Sequence, residues 1–96
     1  MDVRFGSRDL ERQCTDAKHM QKKFGVQMAK TLKLRLNELN MAKEMAGLLS
    51  MPGRWEELRG DRNGQWSARL TKNWRLIVEP EDDSIVVWIV DITDYH

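Results

Sequence analysis

Cysteine is almost absent from this chain of 96 residues, and Cys14 is its single representative. One cysteine cannot close an intramolecular disulfide, and without a Cys/His cluster no zinc site is predicted. The sequence also lacks a run of about eighteen apolar residues, and Asp2, Arg4 and Arg8 interrupt any apolar signal core. We therefore predict a cytoplasmic protein without membrane attachment, metal or cofactor.

The length and the composition predict one folded domain. A chain of 96 residues is too short to build two separate hydrophobic cores. Its hydrophobic fraction of 41% and charged fraction of 32% are typical of a soluble globular protein. We expect a single domain over residues 1–96, and a multidomain enzyme is excluded.

Charge is balanced overall, at a net +1, but it is unevenly distributed. Residues 76–96 contain acidic side chains and no lysine or arginine. The cations of residues 49–75 are Arg54, Arg59, Arg62, Arg69, Lys72 and Arg75. Arginine binds phosphate with a planar fork, and arginines among tryptophans are typical of nucleic-acid binding. Composition alone favours the other interpretation, a small sheet that packs with tryptophan and is solvated by arginine.

The first half of the chain has helical periodicity. Residues Met1–Phe5 alternate as a short strand, and Ser7 is a suitable helix N-cap. Apolar residues then recur every three to four positions over 10–24, which predicts one amphipathic helix that ends at Gly25. A second helix is predicted to begin near Val26. The two form a helical hairpin.

The second half changes to a period of two, which is typical of strands. The predicted strands are Glu57–Gly60, Gln65–Thr71, Trp74–Glu79 and Ile85–Ile92. Leaving the short segment Glu57–Gly60 aside, the predicted element order is β-α-α-β-β-β. This order indicates an α+β fold in which an N-terminal helical hairpin packs on one face of a small, mostly antiparallel sheet.

The register between the middle strands decides where the arginines lie, because a one-residue slip moves every side chain to the other face. A two-residue loop pairs Leu70 with Arg75 and mixes the faces. A three-residue loop pairs Thr71 with Arg75 and leaves Arg69 and Arg75 together on the face opposite the helices. We expect the second register, and that face is the candidate working surface.

Three segments carry a resemblance to a known family. They are LRGDRNGQWS at 58–67, NWRL at 73–76 and the terminal DYH at 94–96. Together with the element order, they resemble the HigB branch of the RelE/ParE superfamily, the bacterial plasmid maintenance killer toxins. The resemblance covers essentially the whole chain, and it implies a RelE-like fold.

The resemblance implies a type II toxin that enters the ribosomal A site and cleaves mRNA during translation. It also implies a cognate helix-turn-helix antitoxin of the HigA type, which inactivates the toxin and represses the shared operon. The toxin is then expected to meet operator DNA only through the antitoxin.

Metal-free RNA cleavage needs a base for the attacking 2′-hydroxyl, an acid for the leaving oxygen and cations for the developing charge. Arg75 is the first candidate for phosphate contact. Arg59 stands where similar toxins often carry lysine, and it can stabilise charge but cannot act as a base. His96 can exchange protons near neutral pH, and Tyr95 can stack on a base or donate a hydrogen bond. Asp94 can orient His96 or act as a weak base.

Further RNA contacts are expected from Arg62, Arg69 and Lys72. Glu56 departs from the family pattern, since similar toxins commonly carry histidine before the LRGD segment. A glutamate can act as a base but not as a cation, and beside Arg59 it can instead form a surface ion pair. The identity of the general base therefore stays open.

Two other functions remain compatible with the same fold. One is a ParE-like inhibitor of DNA gyrase, which binds a protein and cleaves nothing. The other is a catalytically silent relative that serves as a co-repressor subunit or as an RNA-binding module.

Overall fold

Residues 1–82 and 85–94 are described by the computed structural model. They form helices and strands that confirm the predicted α+β class. None of the described helices is long and apolar enough to cross a membrane. The elements are β1 (Asp2–Phe5), α1 (Arg8–Thr15), α2 (Ala17–Phe24), α3 (Val26–Met41), β2 (Glu56–Glu57), β3 (Trp66–Arg69), β4 (Trp74–Pro80) and β5 (Val86–Asp94), with 3-10 turns at Met45–Ser50 and Gly60–Arg62.

The strands form one five-stranded sheet in the order β1-β5-β4-β3-β2. The strand β1 runs parallel to β5, and the other neighbouring pairs are antiparallel, as predicted. The main core lies between the helices and one face of this sheet. Its fully buried side chains include Leu32 and Leu39 of α3, Leu76 and Val78 of β4, and Ile89 of β5. The opposite face, called the outer face below, is the one that the helices leave uncovered.

The helical part differs from the prediction. The periodic segment 10–24 is not one helix, because the chain is extended at Asp16, with φ −96° and ψ 105°. The Asp16 side chain accepts a hydrogen bond from the backbone N–H of His19 at 3.1 Å and thereby caps α2. Three helices therefore replace the predicted hairpin. The predicted N-cap at Ser7 and the turn at Gly25, with φ 85°, are confirmed.

The loop between β3 and β4 is longer than predicted. Arg75 pairs with Arg69 rather than with Thr71, so the three-residue loop is wrong. The carbonyl of Trp74 accepts hydrogen bonds from the N–H groups of Leu70 and Thr71, at 2.9 and 3.3 Å. Because the register differs by two residues, each side chain keeps its face. The prediction that Arg69 and Arg75 share the outer face is confirmed.

The buried thiol of Cys14 gives the fold a specific alkaline sensitivity. Burial raises its pKa from 9.0 to about 12, since desolvation disfavours the thiolate. The unfolded chain ionises this thiol first, so we expect the free energy of unfolding to fall as pH rises from 9.0 toward about 12. Urea unfolding across this range tests the prediction, with Cys14→Ala as the control. Parallel pH profiles for the two proteins would contradict it.

Candidate functional site

The outer face is partly covered by the chain that leads into β3. Ile77 and Leu58 are fully or nearly buried, yet they lie outside the main core cluster. Arg62, in the turn after Leu58, donates to Asp91 of β5 at 3.3 Å, so this segment crosses the outer face. Arg69 and Arg75 lie beyond this covered region, directly paired on neighbouring strands.

A hollow of about 300 Å³ opens beside this pair of arginines. We call it the arginine hollow; its lining residues are Arg54, Trp55, Glu56, Arg69 and Arg75. Three guanidinium groups and a single carboxylate give it a positive field. Such a concave positive surface concentrates polyanions, because low-dielectric walls focus the field.

The Arg75 guanidinium is held in place before any ligand arrives. Its Nη1 donates to three backbone carbonyls, those of Thr71 at 2.9 Å, Lys72 at 3.1 Å and Trp74 at 3.0 Å. Within residues 1–82 and 85–94, no acceptor meets Nη2 or Nε, so those donors are available to an anion. A cation fixed in this way needs little reorganisation when charge develops on a phosphate.

A buried glutamate on α3 supports the hollow from behind. Glu38 is 8% exposed, and its Oε1 accepts hydrogen bonds from the Gly53 N–H at 3.0 Å and from Trp55 Nε1 at 2.8 Å. Its Oε2 accepts from Arg35 Nη1 at 2.7 Å. Arg35 Nε reaches the Arg69 carbonyl at 2.8 Å, and the Arg69 N–H donates to the Gly53 carbonyl at 2.8 Å. These residues, the Glu38 hub, join α3, the segment 53–55 and β3.

Arg54 and the Glu38 hub were not among the predicted site residues. Arg54 lies in the left-handed region, with φ 52°, and lines the arginine hollow. The sequence offers one signal for the hub, because Glu38 lies between the apolar residues Leu36 and Leu39 of α3. A carboxylate in that position requires buried donors. Nothing in the local pattern identifies those donors as Gly53 and Trp55.

Of the predicted residues, Arg69, Arg75 and Glu56 are brought together in the hollow. Lys72 is exposed in the adjoining loop, where its carbonyl holds Arg75. Arg59 is exposed at the start of the turn Gly60–Arg62 and does not line the hollow. The expected convergence of Arg59 with Arg75 is therefore not seen.

The side chain of Arg62 is committed to contacts within the protein. Besides Asp91, it contacts Gln65, whose Oε1 accepts from Nη1 at 3.1 Å. Arg62 is half-buried in this arrangement. An RNA phosphate would have to compete with the Asp91 carboxylate for its guanidinium, which makes Arg62 the least available of the three predicted RNA contacts.

The end of β5 lies next to Arg75. Thr93 pairs with Arg75 and Asp94 pairs with Trp74, so strand alternation puts Asp94 and Arg75 on opposite faces. Tyr95 and His96 lie outside the described residues, and their predicted roles stay predictions. In the part of the chain that is described, no group of three or more His, Cys, Asp or Glu side chains could hold a metal ion.

Solved structures similar to this chain include bacterial toxins. The YoeB/ParE toxin from Agrobacterium tumefaciens has a TM-score of 0.70 and 16% identity, covering 100% of both chains. YoeB in the Staphylococcus aureus YoeB-YefM complex has a TM-score of 0.67 and 23% identity, covering 100% of this chain and 97% of YoeB. YafQ from Escherichia coli strain BL21(DE3) has a TM-score of 0.64 and 18% identity, covering 97% of this chain and 91% of YafQ. At these identities the likeness shows the fold.

Sequence comparison supplies the family. The search of the curated proteins gave no significant match. The family model described as HigB-like toxin, RelE-like toxin of type II toxin-antitoxin system HigB, matches residues 4–96. This match covers nearly all of the chain, including β2 to β5 and the arginine hollow. The chain therefore belongs to the HigB-like toxins, the RelE-like toxins of type II toxin-antitoxin systems.

Proposed function

We propose that this toxin is a ribosome-dependent endoribonuclease that cleaves translated mRNA in the ribosomal A site. The observation that carries the proposal is the arginine hollow, where Arg69 and Arg75 meet Glu56 on an open sheet face. The family resemblance supplies the reaction class, and the hollow supplies cations where a phosphodiester would bind. A toxin that depends on translating ribosomes would act in the cytoplasm.

The reaction that suits these groups is attack of a 2′-oxygen on the adjacent phosphorus. A P–O2′ bond forms and the P–O5′ bond breaks, which leaves a 2′,3′-cyclic phosphate and a 5′-hydroxyl. Negative charge grows on the non-bridging oxygens as the phosphorus gains its fifth bond. In this proposal Arg75, with Nη2 and Nε available, stabilises that charge, and Arg69, paired with it on the neighbouring strand, adds a second cation.

Two proton transfers complete the reaction. Glu56 lines the hollow and is the candidate base for the 2′-hydroxyl. The alternative base, Asp94, lies on the sheet face opposite Arg75, which favours Glu56. His96 is proposed as the acid that protonates the 5′-oxygen, and Tyr95 as a stacking or donor group. Arg59 remains a proposed charge-stabilising residue, although it would have to reach the RNA from outside the hollow.

A cognate antitoxin of the HigA type, with a helix-turn-helix, is the proposed regulator. The Staphylococcus aureus toxin YoeB, which shares this fold, is seen in a complex with YefM. A second structure from the same organism is a heterotetrameric complex of the YoeB-YefM toxin-antitoxin. We propose that operator DNA is contacted through the antitoxin.

Mapping of mRNA 5′ ends after induced expression tests the proposed activity. We expect new 5′ ends within translated frames, phased with the codons, and absent when translation initiation is blocked. Intact messages with an SOS response would instead indicate a gyrase inhibitor. Harmless expression would indicate a silent co-repressor subunit. Either outcome contradicts the proposed nuclease.

A further inference from the structure

Arg54 occupies a backbone conformation that does not suit arginine. Its φ of 52° is the single positive value outside glycine among residues 1–82 and 85–94. In the left-handed region the Cβ crowds the following carbonyl, and glycine, asparagine and aspartate are tolerated best. Stability alone therefore favours another residue at this position. A strained residue that lines a site is a reason to look for a function.

The residues on both sides of Arg54 are tied to the Glu38 hub. The Gly53 N–H and the Trp55 indole donate to Glu38, and the Gly53 carbonyl accepts from the Arg69 N–H at 2.8 Å. These bonds fix the backbone that carries Arg54. Its own side chain is exposed, and no described residue accepts a hydrogen bond from it or pairs with its charge. The fold thus holds Arg54, a cation without an ion-pair partner among the described residues, at the lining of the arginine hollow.

The hollow carries a third arginine besides the two that are assigned to the reacting phosphate. Arg69 and Arg75 are paired on neighbouring strands, and Arg54 enters from the loop before β2. A single-stranded RNA presents successive phosphates, so a third arginine at the rim can bind the phosphate next to the scissile one. We propose that Arg54 binds this neighbouring RNA phosphate and that the Glu38 hub positions it. The proposal rests on the proposed nuclease function.

The test measures binding of a single-stranded 2′-O-methyl RNA oligonucleotide, which cannot be cleaved, by fluorescence anisotropy at several salt concentrations. Loss of one phosphate contact lowers the slope of log K against log salt by about 0.7 for a single strand. We expect this decrease for Arg54→Asn, together with weaker binding and a melting temperature no lower than that of the unsubstituted toxin. Asparagine removes the cation but tolerates the left-handed backbone.

Arg12→Gln is the control, since it removes an exposed arginine of α1 on the helical side of the sheet. We expect it to leave the slope unchanged. An unchanged slope for Arg54→Asn, alongside a lowered slope for Arg75→Ala, overturns the inference and leaves the nuclease proposal standing. Absence of oligonucleotide binding by the unsubstituted toxin also overturns it, whereas the 5′-end mapping decides the nuclease proposal separately. A large drop in melting temperature for Arg54→Asn would assign Arg54 to folding instead.

Gly53→Ala tests the positioning part. A Cβ at Gly53 would lie 2.6 Å from Glu38 Oε1 and 2.6 Å from Trp55 Nε1, so the backbone at Gly53 and these side chains must move apart. We expect Gly53→Ala to lower the slope of log K against log salt by the same amount as Arg54→Asn, although Arg54 itself is intact. Adding Arg54→Asn to it should then change nothing further, because the two residues act as one unit. Additive losses in the double variant would overturn the positioning role.

Discussion

Replacement of Arg75 by alanine is expected to abolish growth arrest and to slow mRNA cleavage by about 10²–10³-fold, the usual effect of removing one preorganised donor from a charged transition state. The reason is the anchored guanidinium. Three backbone carbonyls hold Nη1 at 2.9–3.1 Å, so the remaining donors would meet a bound phosphate with little reorganisation. Single-turnover cleavage of mRNA on purified translating ribosomes measures the effect directly.

Two variants test whether the lost activity comes from the missing guanidinium fork itself or from the loss of positive charge in this loop. Arg75→Lys keeps the charge but cannot reproduce a planar fork that is held by three carbonyls, so we expect it to recover little activity. Lys72→Ala removes an exposed cation from the same loop and leaves its carbonyl bond to Arg75 in place. We expect a much smaller effect from it. An Arg75→Ala protein that cleaves at a third or more of the original rate would remove Arg75 from the reaction.

The face that carries Arg69 and Arg75 could be predicted, whereas their exact register could not. The face on which a side chain lies follows from the strict two-residue period of a strand, and a register error of two residues does not change it. The register itself depends on the loop, where the carbonyl of Trp74 accepts two N–H groups. A local pattern of apolar residues does not contain that information.

The break at Asp16 and the Glu38 hub were missed for related reasons. Apolar spacing runs on from α1 into α2, so periodicity alone cannot separate an aspartate that caps a helix from one on its solvent side. The hub joins Glu38 to residues 15 and 17 positions away, and Arg35 to one 34 positions away. Contacts at such separations exist only once the helices have packed on the sheet. Arg54 lies between Gly53 and Trp55, the two residues that these contacts hold, so its left-handed conformation could not be predicted either.

Replacement of Glu38 by alanine is expected to cause the largest loss of stability. It leaves the Trp55 indole and the Gly53 N–H without an acceptor and the largely buried Arg35 side chain without its ion-pair partner. Removing one partner of a buried charge pair costs about 3–5 kcal/mol. For a domain of this size, each kcal/mol lowers the melting temperature by about 4–8 °C. Thermal and urea unfolding, followed by circular dichroism, measure the change.

Two other substitutions serve for comparison. Glu38→Gln separates the loss of the hydrogen-bond acceptor from the loss of the charge, and Glu44→Ala is the control. Glu38→Gln keeps an acceptor for Trp55 and Gly53 and removes the charge opposite Arg35, so its cost is expected to lie between zero and that of Glu38→Ala. Glu44→Ala changes an exposed glutamate that makes no side-chain cap, and we expect it to stay within about 0.5 kcal/mol of the original stability. If Glu38→Ala melted like Glu44→Ala, the hub would not hold the segment 53–55, and the rigid placement of Arg54 and Trp55 would need another cause.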